Sequence, residues 1–379
     1  MSSQQAVRPA LPRLKPIYDV LYLDGRVRLG SGPSYADEIV DDDGSYAELV
    51  RLLDGTRTVA ELQAALSACL DAEEVLSGLD ELFGAGFLED AAVLPPESLS
   101  AADLQRYAPN LNFFRTVVEP GRSCYQPQAE LKQTRVLLLG LGGIGSNVCM
   151  ALAELGVGHL WAVDFDRVEL SNLNRQVLYS TDVVGSAKAV AAADRIRAFN
   201  PDIEFEVSDQ RLSSAAEVAA AIDRARPDFV FCLADKPNGY IDFWVNSACV
   251  QRGIPYAAAS VSAQLGTAYS VLPRHGPCYQ CRVDSEIAAA PELQEPLDYI
   301  RDNEVNASNA ALGPACMFLA CFLSYELLRH RLDMLGPVLA SHRLLEVDFV
   351  TFEQRWHEFE RRPDCSVCGP SATGLGAAM

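Results

Sequence analysis

A run of small and apolar residues, VLLLGLGGIGSNV from Val136, constrains the fold more than any other feature of the chain. Its first four residues are typical of a buried parallel strand, and the spacing from Val148 to Leu155 predicts a helix soon after the glycines. Glycine is needed between them because backbone N–H groups and the helix N-terminus must approach phosphate oxygens with no Cβ in the way. The loop glycines are Gly140, Gly142, Gly143 and Gly145.

An acidic residue follows the next predicted strand. The segment HLWAVD ends at Asp164, where a carboxylate is placed to accept hydrogen bonds from ribose hydroxyls. The order of strand, glycine loop, helix and second strand predicts an α/β fold with a doubly wound, Rossmann-like sheet. These residues alone do not separate an ATP site from a nicotinamide or flavin site, because every dinucleotide-binding fold shares them.

A polar cluster after the second strand makes the prediction more specific. It reads SNLNRQ over residues 171–176, and Lys188 follows in VGSAKA. In this order the cluster resembles the nucleotide site of the ThiF/MoeB/HesA family, bacterial relatives of ubiquitin-activating enzymes that use ATP to adenylate a carboxylate. The resemblance covers roughly residues 104 to 370 and implies a MoeB-type fold, ATP as cofactor and adenylyltransferase activity.

The chemistry of adenylation explains the residue types in this cluster. Attack of a carboxylate on the α-phosphate builds negative charge that Arg175 and Lys188 can offset, whereas hydride transfer needs neither cation. We expect these two side chains to contact the α- and γ-phosphates, with Asn172 and Gln176 as neutral hydrogen-bonding neighbours. The alternative is that both cations are solvated charges at helix ends.

Two further positions are identified through the resemblance. Asp235 ends the segment PDFVFCLAD, where the family carries a carboxylate that resembles a magnesium ligand, and a carboxylate at a strand end suits a hard cation. The family often has asparagine next, and this chain has Lys236. Asn246 matches a common family position but is equally consistent with an ordinary polar helix residue. The predicted catalytic residues are Arg175, Lys188 and Asp235.

Four of the eleven cysteines form two pairs with metal-ligand spacing. Cys278 and Cys281 follow a Gly-Pro turn, and Cys365 and Cys368 precede Gly-Pro, a pattern that predicts a tetrahedral zinc site of four thiolates. The same pairs resemble the structural zinc site of the family. With four protein ligands the metal has no open position, so we expect it to hold the C-terminal segment in place. The remaining seven are predicted to be mostly buried: Cys69, Cys124, Cys149, Cys232, Cys249, Cys316 and Cys321.

Two departures from the family pattern carry information. Family members that form an enzyme thioester have a cysteine before the helix that begins near Gly313, and here residues 302–312 read DNEVNASNAAL, without a thiol. We therefore expect direct capture of the acyl-adenylate by another group. In RYAPN, Pro109 stands where relatives usually have an arginine that reaches the ATP of a neighbouring subunit. Arg106 or Arg115 must then substitute, or the contact is missing.

The first hundred residues predict a separate small unit. IYDVLYLDGRVRL alternates like a hairpin with Asp24 and Gly25 at its turn, and three segments with helical spacing follow: residues 46–53, 58–70 and 73–83. LVRLLDGTRTVAEL and LFGAGFLED resemble PqqD-type domains, which bind the leader of a ribosomally made precursor peptide along a strand edge. A generic dimerising or DNA-binding winged helix is the alternative. Nucleic-acid binding is disfavoured, because 31 Lys and Arg stand against 51 Asp and Glu.

These features predict a division into a peptide-recognition domain over residues 1–92, a linker over 93–104 and an adenylation domain with the zinc site over 105–379. The N-terminus shows no apolar signal segment, and the apolar stretch from Leu312 to Leu328 is short for a membrane span. We read it as a core or dimer helix, as in the family. A formal charge of −20 favours a soluble cytoplasmic protein that binds neither membrane nor nucleic acid. The resemblance to the family implies a homodimer.

The predicted function is ATP- and magnesium-dependent adenylation of a carboxylate on a ribosomally made precursor peptide, in an antibiotic or other natural-product pathway. The acceptor pocket is expected to include residues 282–305, which we read as a long acidic loop that could cover the site. A non-catalytic partner that delivers the peptide to a cyclodehydratase is one alternative. An adenylyltransferase for a ubiquitin-like sulfur carrier is the other.

Overall fold

The structure, a computed structural model, describes residues 8–32, 36–303 and 310–370. The chain divides into two compact units, one up to Glu130 and one from Leu131 onward. Each unit has its own buried apolar core.

The first unit combines short antiparallel strands with helices. Its three-stranded sheet has the order β2-β3-β4, and β1 pairs separately with β5. The predicted hairpin is confirmed, since β2 pairs with β3 and Gly25 at the turn has a φ of +68°. The elements are β1 (Pro12–Leu14), β2 (Val20–Leu23), β3 (Arg26–Leu29), β4 (Asp37–Val40), α1 (Ser45–Leu52), α2 (Val59–Leu66), α3 (Ala72–Gly84), β5 (Leu88–Asp90), α4 (Ala101–Arg106) and α5 (Ala108–Val117), with α6 (Tyr125–Gln133) at the division.

Capping boxes define two of the three predicted helices. Thr58 accepts from the N–H of Glu61, whose carboxylate accepts from the N–H of Thr58, and Asp71 and Glu74 form the same reciprocal pair before α3. These bonds satisfy N–H groups that the first helical turn leaves without partners. Leu62, Leu66 and other apolar residues of α1 to α3 then pack with β3 into one core. α4 begins inside the stretch predicted as a linker.

The arginine expected to reach a neighbouring subunit is engaged within the first unit. The Arg115 Nε lies 2.9 Å from the Glu89 carboxylate, its Nη1 donates to Asn112 at 2.8 Å, and the residue is buried. Pro109 lies in the first turn of α5, where a missing N–H breaks no helical bond. Arg115 is therefore a poor substitute, and a contact from Arg106 stays a prediction.

The second unit is built on a mixed sheet, whereas the sequence predicted a doubly wound sheet. In the described residues its order is β13-β12-β11-β10-β9-β6-β7-β8. The five strands from β10 to β8 run parallel, and β11, β12 and β13 add antiparallel hairpins at one side. The strands are β6 (Arg135–Leu139), β7 (His159–Val163), β8 (Glu204–Ser208), β9 (Phe229–Cys232), β10 (Tyr256–Ser262), β11 (Leu265–Val271), β12 (Arg343–Asp348) and β13 (Gln354–Glu358).

Helices connect and cover these strands. The glycine loop lies between β6 and α7, so the predicted strand, turn and helix are confirmed. Asp164 follows β7 directly, and Asp235 comes three residues after the end of β9. The helices are α7 (Gly143–Leu155), α8 (Lys188–Phe199), α9 (Ala215–Ala225), α10 (Ile241–Arg252), α11 (Tyr279–Ala289), α12 (Gln294–Asp302) and α13 (Gly313–Arg331), with short 3-10 turns at residues 170–172, 181–183, 291–293 and 333–335.

The predicted acidic loop over residues 282–305 is mostly helical, and this part of the prediction is wrong. α11 and α12 occupy it as far as Asp302, and residues 304–309 lie outside the described part of the chain. Ion pairs one helical turn apart, such as Arg282 with Glu286 and Asp298 with Arg301, support helices in this charged segment.

The apolar stretch near the C-terminus is α13, and it packs against α7 and the sheet. Its buried face includes Leu319, Leu323 and Leu327, so the prediction of a core helix is confirmed. Among the described residues no helix has the length and apolar character required to cross a bilayer.

Candidate active site

A cavity of about 610 Å³ lies where the parallel strands end, a usual ligand position in α/β sheets. Its wall includes the glycine loop after β6, residues after β7, and Asp235 after β9. It continues to β10, β11 and α11. Nine of the ten residues predicted for nucleotide or magnesium binding line it: Gly140, Gly142, Gly143, Asp164, Asn172, Arg175, Gln176, Lys188 and Asp235.

The tenth predicted residue, Gly145, has a packing role. A Cβ there would lie 2.1 Å from the Gly140 carbonyl oxygen, so only glycine allows α7 to pass this close to the loop. Gly140 has a φ of +98°, and a Cβ on it would lie 2.7 Å from the Leu233 carbonyl oxygen. α7 begins at Gly143 without a side-chain cap, which leaves its first N–H groups available to an anion.

Asp164 holds the loop as well as facing the cavity. Its Oδ2 accepts from the Leu141 N–H at 2.7 Å, and its Oδ1 accepts from the Asp166 N–H at 2.9 Å. Burial raises the pKa of Asp164, while nearby Lys188 and these two bonds oppose the rise. The carboxylate therefore fixes the shape of the glycine loop, and contact with a ribose stays a prediction.

The two predicted phosphate-binding cations differ in their surroundings. Lys188 is only 5% exposed, and its Nζ lies 3.0 Å from the Asp166 carboxylate. The alternative of a solvated helix-end charge is therefore wrong for Lys188. Arg175 is partly exposed, and its Nη1 donates to the Ser171 carbonyl at 3.1 Å and to Asn174 at 2.8 Å. Both cations face the cavity beside the glycine loop.

The two predicted amides are both buried. Asn172 accepts from the Glu169 N–H at 3.0 Å and so shapes the turn that carries Arg175. The Oε1 atom of Gln176 is buried and accepts no hydrogen bond from the described residues. A buried carbonyl without a donor is unfavourable, so this atom fits a site in which a ligand supplies the donor.

Asp235 is exposed and forms no hydrogen bond or ion pair with the described residues. Its carboxylate is therefore open to a cation, and Lys236 beside it also lines the cavity. Asn246, by contrast, is fully buried in α10 and lies outside the cavity wall. Its Oδ1 accepts from the Tyr256 hydroxyl and the Tyr279 N–H, which indicates a packing role.

The four predicted zinc ligands are confirmed as a buried cluster. Their Sγ atoms all lie within 4.8 Å of one another, with Cys278 3.6 Å from Cys365 and Cys281 3.4 Å from Cys368. Zinc–sulfur bonds of about 2.3 Å in a tetrahedron require sulfur separations of about 3.8 Å. The hydrogen bond from the Cys278 thiol lowers the pKa of Cys281, burial opposes this shift, and the Arg362 N–H lowers the pKa further. The cluster therefore has the geometry and donors to hold zinc.

The other cysteines are partly as predicted. Cys69 and Cys321 are exposed, and the remaining five are buried. Two of these five, Cys232 and Cys316, line the cavity. The Sγ of Cys316 would lie 2.9 Å from a Cβ on Gly143, so it packs against the glycine loop. A thiol from α13 therefore reaches the site. The stretch without a thiol, residues 302–312, includes residues 304–309, which lie outside the described part of the chain.

The far part of the cavity contains a group that the sequence did not reveal, which we name the Asp242 end: Asp242, Tyr269, Tyr279 and Arg282. The guanidinium carbon of Arg282 lies 4.7 and 4.8 Å from the centres of the Tyr269 and Tyr279 rings. The Tyr269 hydroxyl donates to Asp242 at 3.3 Å. The sequence did contain one signal for Arg282, because this residue directly follows Cys281 of the zinc pair. Nothing in the sequence linked Arg282 to Asp242.

Comparison with known proteins agrees with this geometry. The ThiF family model matches residues 107–367. The SAMP-activating enzyme E1 of Haloferax volcanii is 34% identical over 275 residues, which cover 72% of this chain and 91% of that protein. The sulfur carrier protein adenylyltransferase of Thermus thermophilus is 32% identical, over 65% of this chain and 86% of its own length.

Solved structures extend the likeness in fold. Escherichia coli MccB has been crystallised with ATP and, as the microcin C7 biosynthetic enzyme, in complex with N-formylated MccA. Each of these structures has a TM-score of 0.71 at 19% identity and covers 94% of this chain and 99% of its own. The fold is therefore shared over nearly the whole length. With the family match over residues 107–367 and the 34% identity to the Haloferax enzyme, the chain belongs to the ThiF family.

Proposed function

We propose that this protein uses ATP and magnesium to adenylate a carboxylate on a ribosomally made precursor peptide, and that a group of the same peptide captures the acyl-adenylate directly. The observation that carries the proposal is one cavity that holds the glycine loop, Arg175, Lys188 and Asp235 together. A helix N-terminus and two cations match the charge that develops on a phosphate under attack.

The residues fit the parts of Mg²⁺–ATP. Backbone N–H groups at the start of α7 would donate to phosphate oxygens, and Arg175 and Lys188 would add positive charge. Asp235, exposed and without a partner among the described residues, would hold magnesium. The Gln176 oxygen, which lacks a donor in the described chain, would accept from the nucleotide.

The N-terminal unit supports a peptide as substrate. Its order of three antiparallel strands and three helices is that expected of a PqqD-like domain. Among the described residues β4 pairs with β3 on one side only, which leaves a backbone edge open to an added peptide strand. The likeness to MccB spans 94% of this chain and so includes this unit, whereas the Thermus adenylyltransferase matches 65%.

A second candidate substrate is a sulfur-carrier protein, because the Thermus relative is a sulfur carrier protein adenylyltransferase. It would account for the second unit and leave the first without a role. The third candidate, a non-catalytic leader-binding partner of a cyclodehydratase, is disfavoured because three of the four loop glycines and both cations lie in the cavity wall.

Three finer features complete the proposal. The cysteine cluster would hold a structural zinc ion. A homodimer is supported by exposed apolar side chains in the second unit, among them Met317 on α13 and, after β12, Val350 and Phe352. A cytoplasmic location stays a prediction from the acidic composition.

The proposal is tested by offering the protein two substrates with Mg²⁺–ATP. One is a peptide encoded by a short neighbouring reading frame, and the other is a small β-grasp protein that ends in Gly-Gly. Pyrophosphate release and a mass change with the peptide alone support the proposal. Release with the β-grasp protein alone supports the second candidate, and tight peptide binding without release supports the third.

The open strand edge has its own test. Val40 in β4 is 74% exposed, so Val40→Lys should leave the fold intact and weaken binding of a fluorescent leader peptide by about tenfold. Leu21→Lys in β2, the opposite edge strand, is the matched control and should change affinity little. Equal affinity for both variants and the wild type would contradict leader binding at β4.

A further inference from the structure

The polar side chains of the Asp242 end line the same cavity but are not among the residues assigned above to the nucleotide. Asp242 lies in the first turn of α10, and its Oδ1 accepts from the Tyr269 hydroxyl at 3.3 Å and the Cys232 thiol at 3.8 Å. Burial raises the pKa of both Tyr269 and Cys232, so both remain protonated donors. No other described residue donates to Oδ2, the second oxygen of this carboxylate.

Arg282 faces Asp242 across the cavity wall. Its side chain is only 17% exposed, and the guanidinium lies against both the Tyr269 and the Tyr279 rings, which stack on each other. It forms no hydrogen bond with the described residues, although Glu286 lies 3.3 Å from Nε. Such a cation favours the ionised form of a nearby carboxylate and leaves both groups able to contact a ligand.

The sheet order separates this group from the nucleotide residues. Gly140 and Asp164 follow β6 and β7, whereas Tyr269 is in β11 at the other side of the parallel strands. The cavity crosses β9 and β10 between them and joins both ends in one space. A peptide carboxylate at the α-phosphate could therefore extend toward Asp242.

We infer that Asp242 is the general base for capture: its Oδ2 accepts the proton of the peptide amine or amide nitrogen that attacks the acyl-adenylate, and Arg282 is its positioning residue. The inference rests on the proposed function. It commits to a nitrogen nucleophile as the acceptor, and the two donors on Oδ1 hold the orientation of the carboxylate.

The step balances without another reactant. The nitrogen lone pair attacks the carbonyl carbon and the C–N bond forms. The bond from that carbon to the phosphate oxygen breaks, and AMP leaves with the electron pair. The nitrogen proton passes to Asp242. The titratable or charged groups that face Asp242 from the neighbouring elements are Cys232, Tyr256, Tyr269, Tyr279 and Arg282.

The test separates the two half-reactions in the full-length protein. Pyrophosphate release reports adenylation, the product mass reports capture, and added hydroxylamine traps the acyl-adenylate as a hydroxamate. Asp242→Asn should release pyrophosphate within about threefold of the wild-type rate and lose capture by about 100-fold or more, while hydroxylamine still yields hydroxamate. Asp202→Asn, at an exposed aspartate outside the cavity wall, is the control and should behave as wild type.

Arg282→Gln is the second variant, should Asp242→Asn misfold. It should lower capture with adenylation retained, and Arg282→Lys should restore part of the capture rate. Equal loss of adenylation and capture in folded Asp242→Asn or Arg282→Gln would overturn the inference, as would full capture in either. A wild-type protein that forms no hydroxamate with peptide and ATP would overturn the proposed function itself.

Discussion

At the glycine-loop end of the cavity the backbone supplies many of the binding groups, whereas at the Asp242 end side chains from separate elements supply them. The loop between β6 and α7 offers N–H groups whose positions depend on close backbone contacts, such as that of Gly145 with Gly140. Asp242, Tyr269 and Arg282 come from α10, β11 and α11. Nucleotide binding and capture should therefore respond to different substitutions.

The largest effect is expected at Lys188. Lys188→Ala removes a buried cation from the phosphate site, and ATP turnover should fall about 100- to 1,000-fold with the fold retained. Pyrophosphate release measures the loss, and Lys132→Ala, outside the cavity wall, should match the wild type. Turnover near the wild-type rate in Lys188→Ala would remove this residue from the phosphate site.

The zinc cluster should matter more for the Asp242 end, because Cys278 and Cys281 position the start of α11, where Tyr279 and Arg282 lie. Cys365→Ser should lower bound zinc and reduce the free energy of unfolding by about 3 kcal/mol or more. Capture should suffer more than ATP affinity. Cys321→Ser, at an exposed thiol, is the control for zinc content and melting temperature.

A matched glycine pair tests the loop. Gly145→Ala places a Cβ 2.1 Å from the Gly140 carbonyl oxygen and should cost about 2 kcal/mol of stability, with weaker ATP binding. In Gly142→Ala the added Cβ has no atom within 4 Å, so this variant should unfold at nearly the same denaturant concentration as the wild type. Urea unfolding and ATP titration of both variants make the comparison. Similar stability of the two would contradict the packing role of Gly145.

The smallest effect concerns pH. Burial raises the pKa of Asp242, and Arg282 and the bonds from Tyr269 and Cys232 only partly oppose it. A carboxyl group whose pKa is higher in the folded protein than in the unfolded chain lowers the stability of the fold as pH rises. The folded state holds the proton more tightly, and this advantage is lost when the group ionises. The melting temperature of Asp242→Asn minus that of the wild type should therefore be higher at pH 8 than at pH 5. A difference in melting temperature that does not change with pH would contradict the claim that ionised Asp242 destabilises the folded protein.

How far the sequence predicts each end follows from the same contrast. Short local patterns in the sequence mark the glycine loop, the segment around Arg175 and each of the two cysteine pairs. The structure brings the members of each set to one place. Asp242 and Arg282 are far apart in the chain, and both contact Tyr269 of the β10–β11 hairpin. No local pattern predicts such a meeting.

The misassigned segment after Arg282 has a related cause. Residues 282–302 are charged and contain Pro291 and Pro296, which interrupt helical periodicity when it is read along the chain. In the structure both prolines occur at or near the starts of helical turns, where the missing N–H is not needed. In the N-terminal unit the caps at Thr58 and Asp71 are local signals, and the helices there agree closely with the prediction.

Transfer of oxygen from the peptide to AMP tests the central claim most directly. A precursor peptide with ¹⁸O in its carboxylates is incubated with the protein, ATP and magnesium, and the released AMP is analysed by mass spectrometry. An acyl-adenylate passes one carboxylate oxygen to the phosphate when the nitrogen displaces AMP, so AMP with one ¹⁸O and a peptide that has lost water are predicted. Unlabelled AMP, or ADP in its place, would contradict activation of a peptide carboxylate at this cavity.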